Sequence, residues 1–363
     1  MNKVKKTTIM VILIYLILNL VVLPGKSIAA VQNAVALCIN TVIPSLFPFF
    51  VVSSLFISLG FASYLSRFLS GFIKPVFNVN GAGALPIILG LISGYPIGAS
   101  SCTELYKKGF LSKIEAERLL AFTNNSGPLF ILGAVGYSML NSPEKGLIIY
   151  VSHILAAALT GIIFRFYKYK NTEHTHFLPP APGNFSAPAK ALGSALGESM
   201  NYAVENMLKV CGFVILFGFI CSCIPKTNLF PYIYSLFEIT GGLNALSLLE
   251  LDETFRLSIM SFFLSLSGLS VLCQVSSIII PSGLSVKPYI LGKVIQAVLS
   301  FYITKILLNY FQPYKTYSVF SPIYEKILPQ STWQASLSIL FFAAIGFLIL
   351  FLIGYALEAK RKK

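Results

Sequence analysis

Two adjacent asparagines stand at the head of an apolar run, in Thr123-Asn124-Asn125-Ser126-Gly127-Pro128 followed by Leu129-Phe130-Ile131-Leu132. Amide groups placed there are costly unless they bond to something. They can face a solute or ion, or Asn125 or Ser126 can cap the helix that follows. Pro128 frees a backbone position and predicts an unwound start. Upstream, Ser93-Gly94-Tyr95-Pro96 interrupts an apolar stretch at 81–102 that also holds Gly83, Pro86, Gly90 and Gly98. Downstream, Ser267-Gly268 interrupts 256–281, and Gln274 follows in the descending arm. Gly permits close backbone approach, and Ser adds a hydroxyl at small steric cost. A helix N-terminus exposed at such a break carries partial positive charge and free N–H groups, so it can hold an anion without Lys or Arg. Close helix packing is the other use of Gly and Ser there. Tyr95 can stack on a planar solute or anchor at an interface. The expected solute-binding set is therefore Ser93, Gly94, Tyr95, Asn124, Asn125, Ser126, Ser267, Gly268 and Gln274.

Other residue types exclude whole chemistries. Asp252 is the one aspartate, so a paired-aspartate intramembrane protease is out and an aspartyl-phosphate pump lacks support. No His-Glu-x-x-His occurs, and His153, isolated in an apolar run, reads as a satisfied buried histidine. Gly25-Lys26-Ser27 imitates the end of a P-loop, but Leu20 stands where that motif needs Gly. Cys221-x-Cys223 has the wrong spacing for paired zinc ligands. No catalytic residue, metal or cofactor is expected, and the chain does not read as an enzyme. Glu104 can bind a cation or proton, or pair with Lys107 or Lys108; Gln296 can face a cavity or bond across helices. Glu115, Glu117 and Arg118 read as the solvated face of a cytoplasmic helix.

These residues must be positioned by membrane-embedded elements. Only 11% of the 363 residues are charged, 56% are hydrophobic, and the mean hydropathy is +0.78. A soluble chain carries about 25% charged residues, so the expected fold is an all-α polytopic membrane protein. The net charge of +14 lies at the flanks of apolar runs, which points to orientation and anionic lipid rather than nucleic acid. Met1-Asn2-Lys3-Val4-Lys5-Lys6 places the N-terminus in the cytoplasm, and the run that follows is read as a retained span, with a cleaved signal as the alternative. Spans are expected at 44–61, 127–141, 147–165, 207–224, 288–309 and 334–356, with an amphipathic helix at 30–43 and a polar helix at 190–205. Whether 229–250 crosses decides between seven and eight spans. The stretches 81–102 and 256–281 are expected as two re-entrant helical hairpins, because broken backbone at membrane depth is tolerated only inside protein or beside a cavity.

The two broken stretches also resemble each other. Gly94 and Gly268 are 268 − 94 = 174 apart, and Ser112 and Ser285 are 285 − 112 = 173 apart. Paired broken segments in corresponding halves are the best sequence pointer to a transport site. The expected organisation is an N-terminal span at 1–30, a first repeat at 31–170, a Pro-rich cytoplasmic linker at 171–189 and a second repeat at 190–363.

Four motifs together resemble the sporulation integral membrane protein YlbJ family, also called SpoVV, which carries two nucleoside-recognition gate domains. They are Pro44-Ser45-Leu46-Phe47-Pro48-Phe49, Ser93-Gly94-Tyr95-Pro96-Ile97-Gly98-Ala99, Glu115-Ala116-Glu117-Arg118-Leu119-Leu120 and Asn124-Asn125-Ser126-Gly127-Pro128-Leu129-Phe130. Ser265-Leu266-Ser267-Gly268-Leu269-Ser270-Val271 is similar to the second gate more loosely. The resemblance implies a membrane protein of endospore-forming bacteria that moves dipicolinic acid across the outer forespore membrane, which derives from the mother cell. It also implies distant similarity to concentrative nucleoside transporters, whose ion-site residues are not matched here. The partners so implied are a small anionic solute, the lipid bilayer and a coupling ion, proton or sodium. The residue chemistry alone reaches a small polar, anionic solute, and a structural protein of the spore envelope or a nucleoside-like solute stays open.

Overall fold

A computed structural model describes residues 3–59, 61–169 and 189–310. Most of the linker at 171–189, the expected span at 334–356 and the basic C-terminal tail lie outside the described residues. Every regular element among the described residues is helical. Four helices are long and apolar enough to cross a bilayer, or six if each of two sharply bent pairs is one span. The all-α polytopic fold is therefore present.

The chain opens with α1 (Lys3–Val22) and α2 (Pro24–Leu37). Pro24 starts a new helix at its first position, and the two axes differ by 102°. A π-helical turn, Cys38–Val42, leads into α3 (Ile43–Ser58), then α4 (Phe61–Phe77). Next come α5 (Ala84–Ile92) and α6 (Ile97–Lys107), which pack on each other as a helical hairpin turning at Ser93–Pro96. Gly94 at that turn has φ +87°, a conformation open to Gly and strained for other residues.

Helix α7 (Lys113–Leu120) corrects an expectation. Glu115, Glu117 and Arg118 are fully buried, not a solvated face. Glu115 closes a capping box with Ser112 and accepts from the Asn80 backbone N–H at 2.9 Å. Glu117 accepts from Lys168 Nζ at 3.1 Å, from the Tyr167 hydroxyl at 3.0 Å and from the Ser285 N–H at 3.2 Å. Hydrogen bonding to Tyr167, then to Glu117, pushes the Lys168 amine above its ordinary pKa. Arg118 donates to the Tyr167 carbonyl at 2.9 and 2.6 Å and to the Asn78 carbonyl at 2.7 Å. Apart from Ser112, these partners lie 35 to 168 positions away, so a local reading of the charges finds no reason for burial.

Beyond α7 the backbone of Asn124–Gly127 has no regular structure. The expected span at 127–141 is an 11-residue π-helix, Leu129–Met139, followed by α8 (Pro143–Phe164). Gly136 lies against Gly146 of α8, where a Cβ on Gly136 would sit 2.8 Å from the Gly146 Cα. Helix α9 (Ala189–Ser222) joins the expected polar helix and span into one element.

The second half departs from the expectation at its hairpin. The segment at 229–250, whose crossing the sequence leaves open, is two short helices, α10 (Phe230–Phe237) and α11 (Ile239–Ser247), packed on each other. Glu238 is extended between them and caps α11 by accepting from the Thr240 and Gly241 N–H groups at 2.9 and 2.7 Å. The chain therefore doubles back here rather than at Ser267–Gly268. There, α12 (Glu253–Leu266) and α13 (Gly268–Ile279) form a broken helix that counts as one candidate span, Glu253–Ser282. The Ser267 N–H still bonds to the Phe263 carbonyl at 3.0 Å, so the break interrupts the helix without folding it back. Helix α14 (Lys287–Tyr310) packs along α12 and α8. The offset of 174 reappears as backbone conformation: Gly94 and Gly268, and likewise Gly109 and Gly283, all have positive φ.

The apolar core forms two clusters. One gathers Phe50, Ile73, Leu85, Ile97, Leu119 and Met207 with α13 residues such as Val271. The other gathers Ile131, Ile149, Leu243, Leu257, Leu264 and Leu308. The chain passes from one cluster to the other at 121–130 and again at the α12–α13 break, and Tyr95 packs against both.

Replacing Arg118 with Met should strip the Tyr167 and Asn78 carbonyls of their donor and cost about 3 kcal/mol. Thermal unfolding of the purified protein in detergent checks this. A variant melting with the wild type would mean that those carbonyls contribute nothing.

Candidate functional site

Three glycines of the α5–α6 hairpin, spaced four apart, decide where the polar segment lies. A Cβ on Gly90 or on Gly98 would collide with the Thr123 carbonyl oxygen. One on Gly94 would sit 2.7 Å from the Gly127 nitrogen. The unwound chain at 123–127 thus lies directly on the hairpin backbone, which only glycines allow. Helix α14 closes it from another side, since a Cβ on Gly292 would collide with the Ala121 carbonyl oxygen. Ser93, Gly94, Asn124, Asn125 and Ser126 are brought together in this way and are buried, with Tyr95 half-buried beside Ser126.

The amides divide into engaged and open groups. Asn125 donates to the Phe122 carbonyl at 2.8 Å and accepts from Gln296 Nε2 at 2.9 Å. Its amide is held by the protein. Asn124 donates to the Tyr289 hydroxyl at 3.4 Å, while its Oδ1, an acceptor, has no hydrogen-bond partner among the described residues. The Ser93 and Ser126 hydroxyls are likewise buried and without one among the described residues. A buried polar group left unpaired costs about 1–3 kcal/mol, so these three atoms call for an occupant.

Helices α8, α12 and α14 supply what the sequence reading passed over. His153 of α8 is fully buried; its Nε2 accepts from the Ser126 N–H at 3.2 Å. Nδ1 therefore carries the proton and donates to Ser265 Oγ at 2.8 Å. His153 is the satisfied buried histidine expected, and its task is to hold the unwound segment. On α14, Lys293 is buried and donates to Gln296 Oε1 at 2.9 Å. Ser261 bonds to Ser300 at 2.6 Å and to Thr304 at 2.8 Å. The signal was present: Lys293, Gln296, Ser300 and Thr304 recur at spacings of three and four, one face of a helix.

The remaining expected residues are more dispersed. Ser267 is fully buried with φ +71°, and its hydroxyl reaches the Ser265 carbonyl at 3.4 Å. Gly268 opens α13 against the carbonyl end of α10, where an added Cβ would lie 3.2 Å from the Ser235 oxygen and 3.4 Å from that of Leu236. It reaches the polar cluster through a cavity of about 130 Å³ that it lines with Tyr289 and Lys293. Gln274 is buried but donates to Ser270 of its own helix at 3.3 Å, and no described hydrogen bond ties it to the asparagines. Glu104 pairs with Lys108 at 3.0 Å, the partner expected for it, beside a separate polar pocket of about 420 Å³.

Gly94→Ala should strain the turn and push on Gly127, costing roughly 1–3 kcal/mol. Thermal unfolding should show the loss, and hydrogen exchange at 93–97 should rise. Unchanged melting and exchange would show that the turn tolerates a side chain.

Comparison with known proteins fits this geometry. The family described as Gate, nucleoside recognition, matches residues 39–227, a stretch that holds the α5–α6 hairpin and the asparagines and runs through the segment at 171–188. The sporulation integral membrane protein YlbJ of Bacillus subtilis (strain 168) is 29% identical over 334 residues, covering 82% of each chain. No solved structure matches the chain. With more than half its length matched, the chain belongs to the Gate nucleoside-recognition family.

Proposed function

We propose that this protein is a sporulation membrane transporter that carries a small planar dicarboxylate, dipicolinate, by alternating access. One observation carries the reading. In a chain with 11% charged residues, a buried polar cluster lies where two apolar clusters meet, and three of its polar atoms, on Ser93, Asn124 and Ser126, have no hydrogen-bond partner among the described residues. A scaffold built only for packing would place apolar atoms there. The similarity to a sporulation integral membrane protein supports the physiological setting, and the outer forespore membrane is the membrane this reading assigns.

In this account the Ser93 hydroxyl and the second N–H of the Asn124 amide donate to the solute carboxylates, Asn124 Oδ1 accepts from a donor the solute or its water brings, and Tyr95 covers the ring face. Asn125, Ser126 and His153 position the segment that carries Asn124. Ser267 and Gly268 form the hinge by which α12 and α13, each in a different apolar cluster, change their relation. The family description favours a nucleoside as the second reading. A nucleoside offers a planar ring and hydrogen-bonding edges but no carboxylate.

Proteoliposomes holding the wild type should accumulate labelled dipicolinate, and excess nucleoside should not compete. Asn124→Ala should lower uptake at least about tenfold, through loss of the hydrogen bond that the second N–H of the Asn124 amide donates to a solute carboxylate, with little change in melting temperature. Equal uptake by wild type and empty vesicles would sink the transport reading. Competition by nucleoside would move the assignment to the second reading.

A further inference from the structure

Lys293 is the one lysine on α14 that lies deep in the core, 2% exposed. Among the described residues no carboxylate comes within ion-pairing distance of it. Its hydrogen bond to Gln296 goes to a neutral oxygen one turn along the same helix. The groups near it are Gln296 and Tyr289 on its own helix and His153 of α8, whose Nε2 accepts from the Ser126 N–H and is therefore unprotonated. A buried ammonium with no counter-charge is expensive to keep, and a lysine in a membrane span marks a functional site by default.

The second observation is a cavity of about 130 Å³ at the α12–α13 break, lined by Lys293, Tyr289, Gly268, Leu266 and Leu272 and open to the outer surface past the exposed Leu236, Leu269, Ile290 and Val294. Its wall is apolar apart from the lysine and the tyrosine. Such a space suits a flat, largely apolar molecule with one anionic end. Tyr289 also receives the hydrogen bond from Asn124, so the cavity adjoins the open amide. The carbonyl end of α10 faces the first turn of α13, so the partial positive charge of that helix start is already answered inside the protein. The charge available to an anion in this cavity is the lysine.

We propose that Lys293 is a carboxylate-binding residue, and that the cavity at the α12–α13 break receives the anionic end of the solute. The inference rests on the transport reading for its physiological meaning, but its test does not require transport. The solute carboxylate supplies the counter-charge that the fold withholds, so occupancy and the ion pair form together. The lysine thereby discriminates a dicarboxylate from a neutral ring of the same outline, including a nucleoside.

Purified full-length protein in detergent tests this with two probes, pyridine-2,6-dicarboxylate and the uncharged pyridine-2,6-dicarboxamide. The dicarboxylate should raise the melting temperature of the wild type and the diamide should not. Lys293→Met should weaken dicarboxylate binding at least about tenfold, and Lys293→Arg should retain part of it. The unliganded Lys293→Met protein should melt no lower than wild type, because the change removes an uncompensated buried charge. A dicarboxylate shift that survives in Lys293→Met, no shift in the wild type, or a marked fall in the unliganded variant's melting temperature each overturns the assignment. A wild type that shows the shift but moves no solute in vesicles overturns the transport reading and leaves the site standing.

Discussion

The structure depends on one close approach: the unwound backbone of Thr123–Gly127 lies on Gly90, Gly94 and Gly98 of the α5–α6 hairpin. No side chain larger than hydrogen fits at those three positions. The contact fixes a non-helical segment deep inside an apolar molecule, where each freed N–H and C=O needs a partner. His153 answers the Ser126 N–H, Gln296 answers Asn125, and Asn125 itself answers the Phe122 carbonyl. Among the described residues the Ser93 and Ser126 hydroxyls and the Asn124 amide oxygen are left without a hydrogen-bond partner. The same constraint that bends the chain therefore also creates the polar site.

That site sits on a mechanical boundary. α12 belongs to one apolar cluster and α13 to the other, with the positive-φ pair Ser267–Gly268 between them. The chain changes cluster again between α7 and the π-helix, through the asparagine segment. Two bodies joined by broken helices, with polar residues at the joint, can change their relation without tearing a continuous helix. Two helices cross unbroken: α8, from Ile149 in one cluster to Ile162 against the other, and α14, from Tyr289 to Leu308. The buried polar face of α14, Lys293 to Thr304, accompanies its crossing.

Much of this was legible before any coordinates. The low charge content gave the class, and the Gly-Ser breaks and the asparagine pair marked where backbone is irregular. The α5–α6 hairpin follows from Gly94 and Pro96 inside an apolar stretch. The second break looked the same in composition but kinks instead of reversing, because Ser267 keeps its bond to Phe263 and Glu238, one element earlier, makes the turn. A local pattern of Gly and Ser shows where a helix is interrupted, not the angle at which it resumes. Buried charge was the hardest to read. Glu115, Glu117 and Arg118 look solvent-facing in isolation, and their partners arrive from distant segments. Lys293 joins Gln296, Ser300 and Thr304 only when their spacing is set on a helix face.

The most direct measurement is a structure determined with dipicolinate at saturating concentration. The account predicts density for the solute between the Ser93–Tyr95 turn and α14, in contact with Asn124 and with a carboxylate against Lys293. Density confined to the polar pocket beside Lys107, Lys108 and Lys209, with the Asn124 amide and the Ser93 hydroxyl still unpartnered, would contradict it.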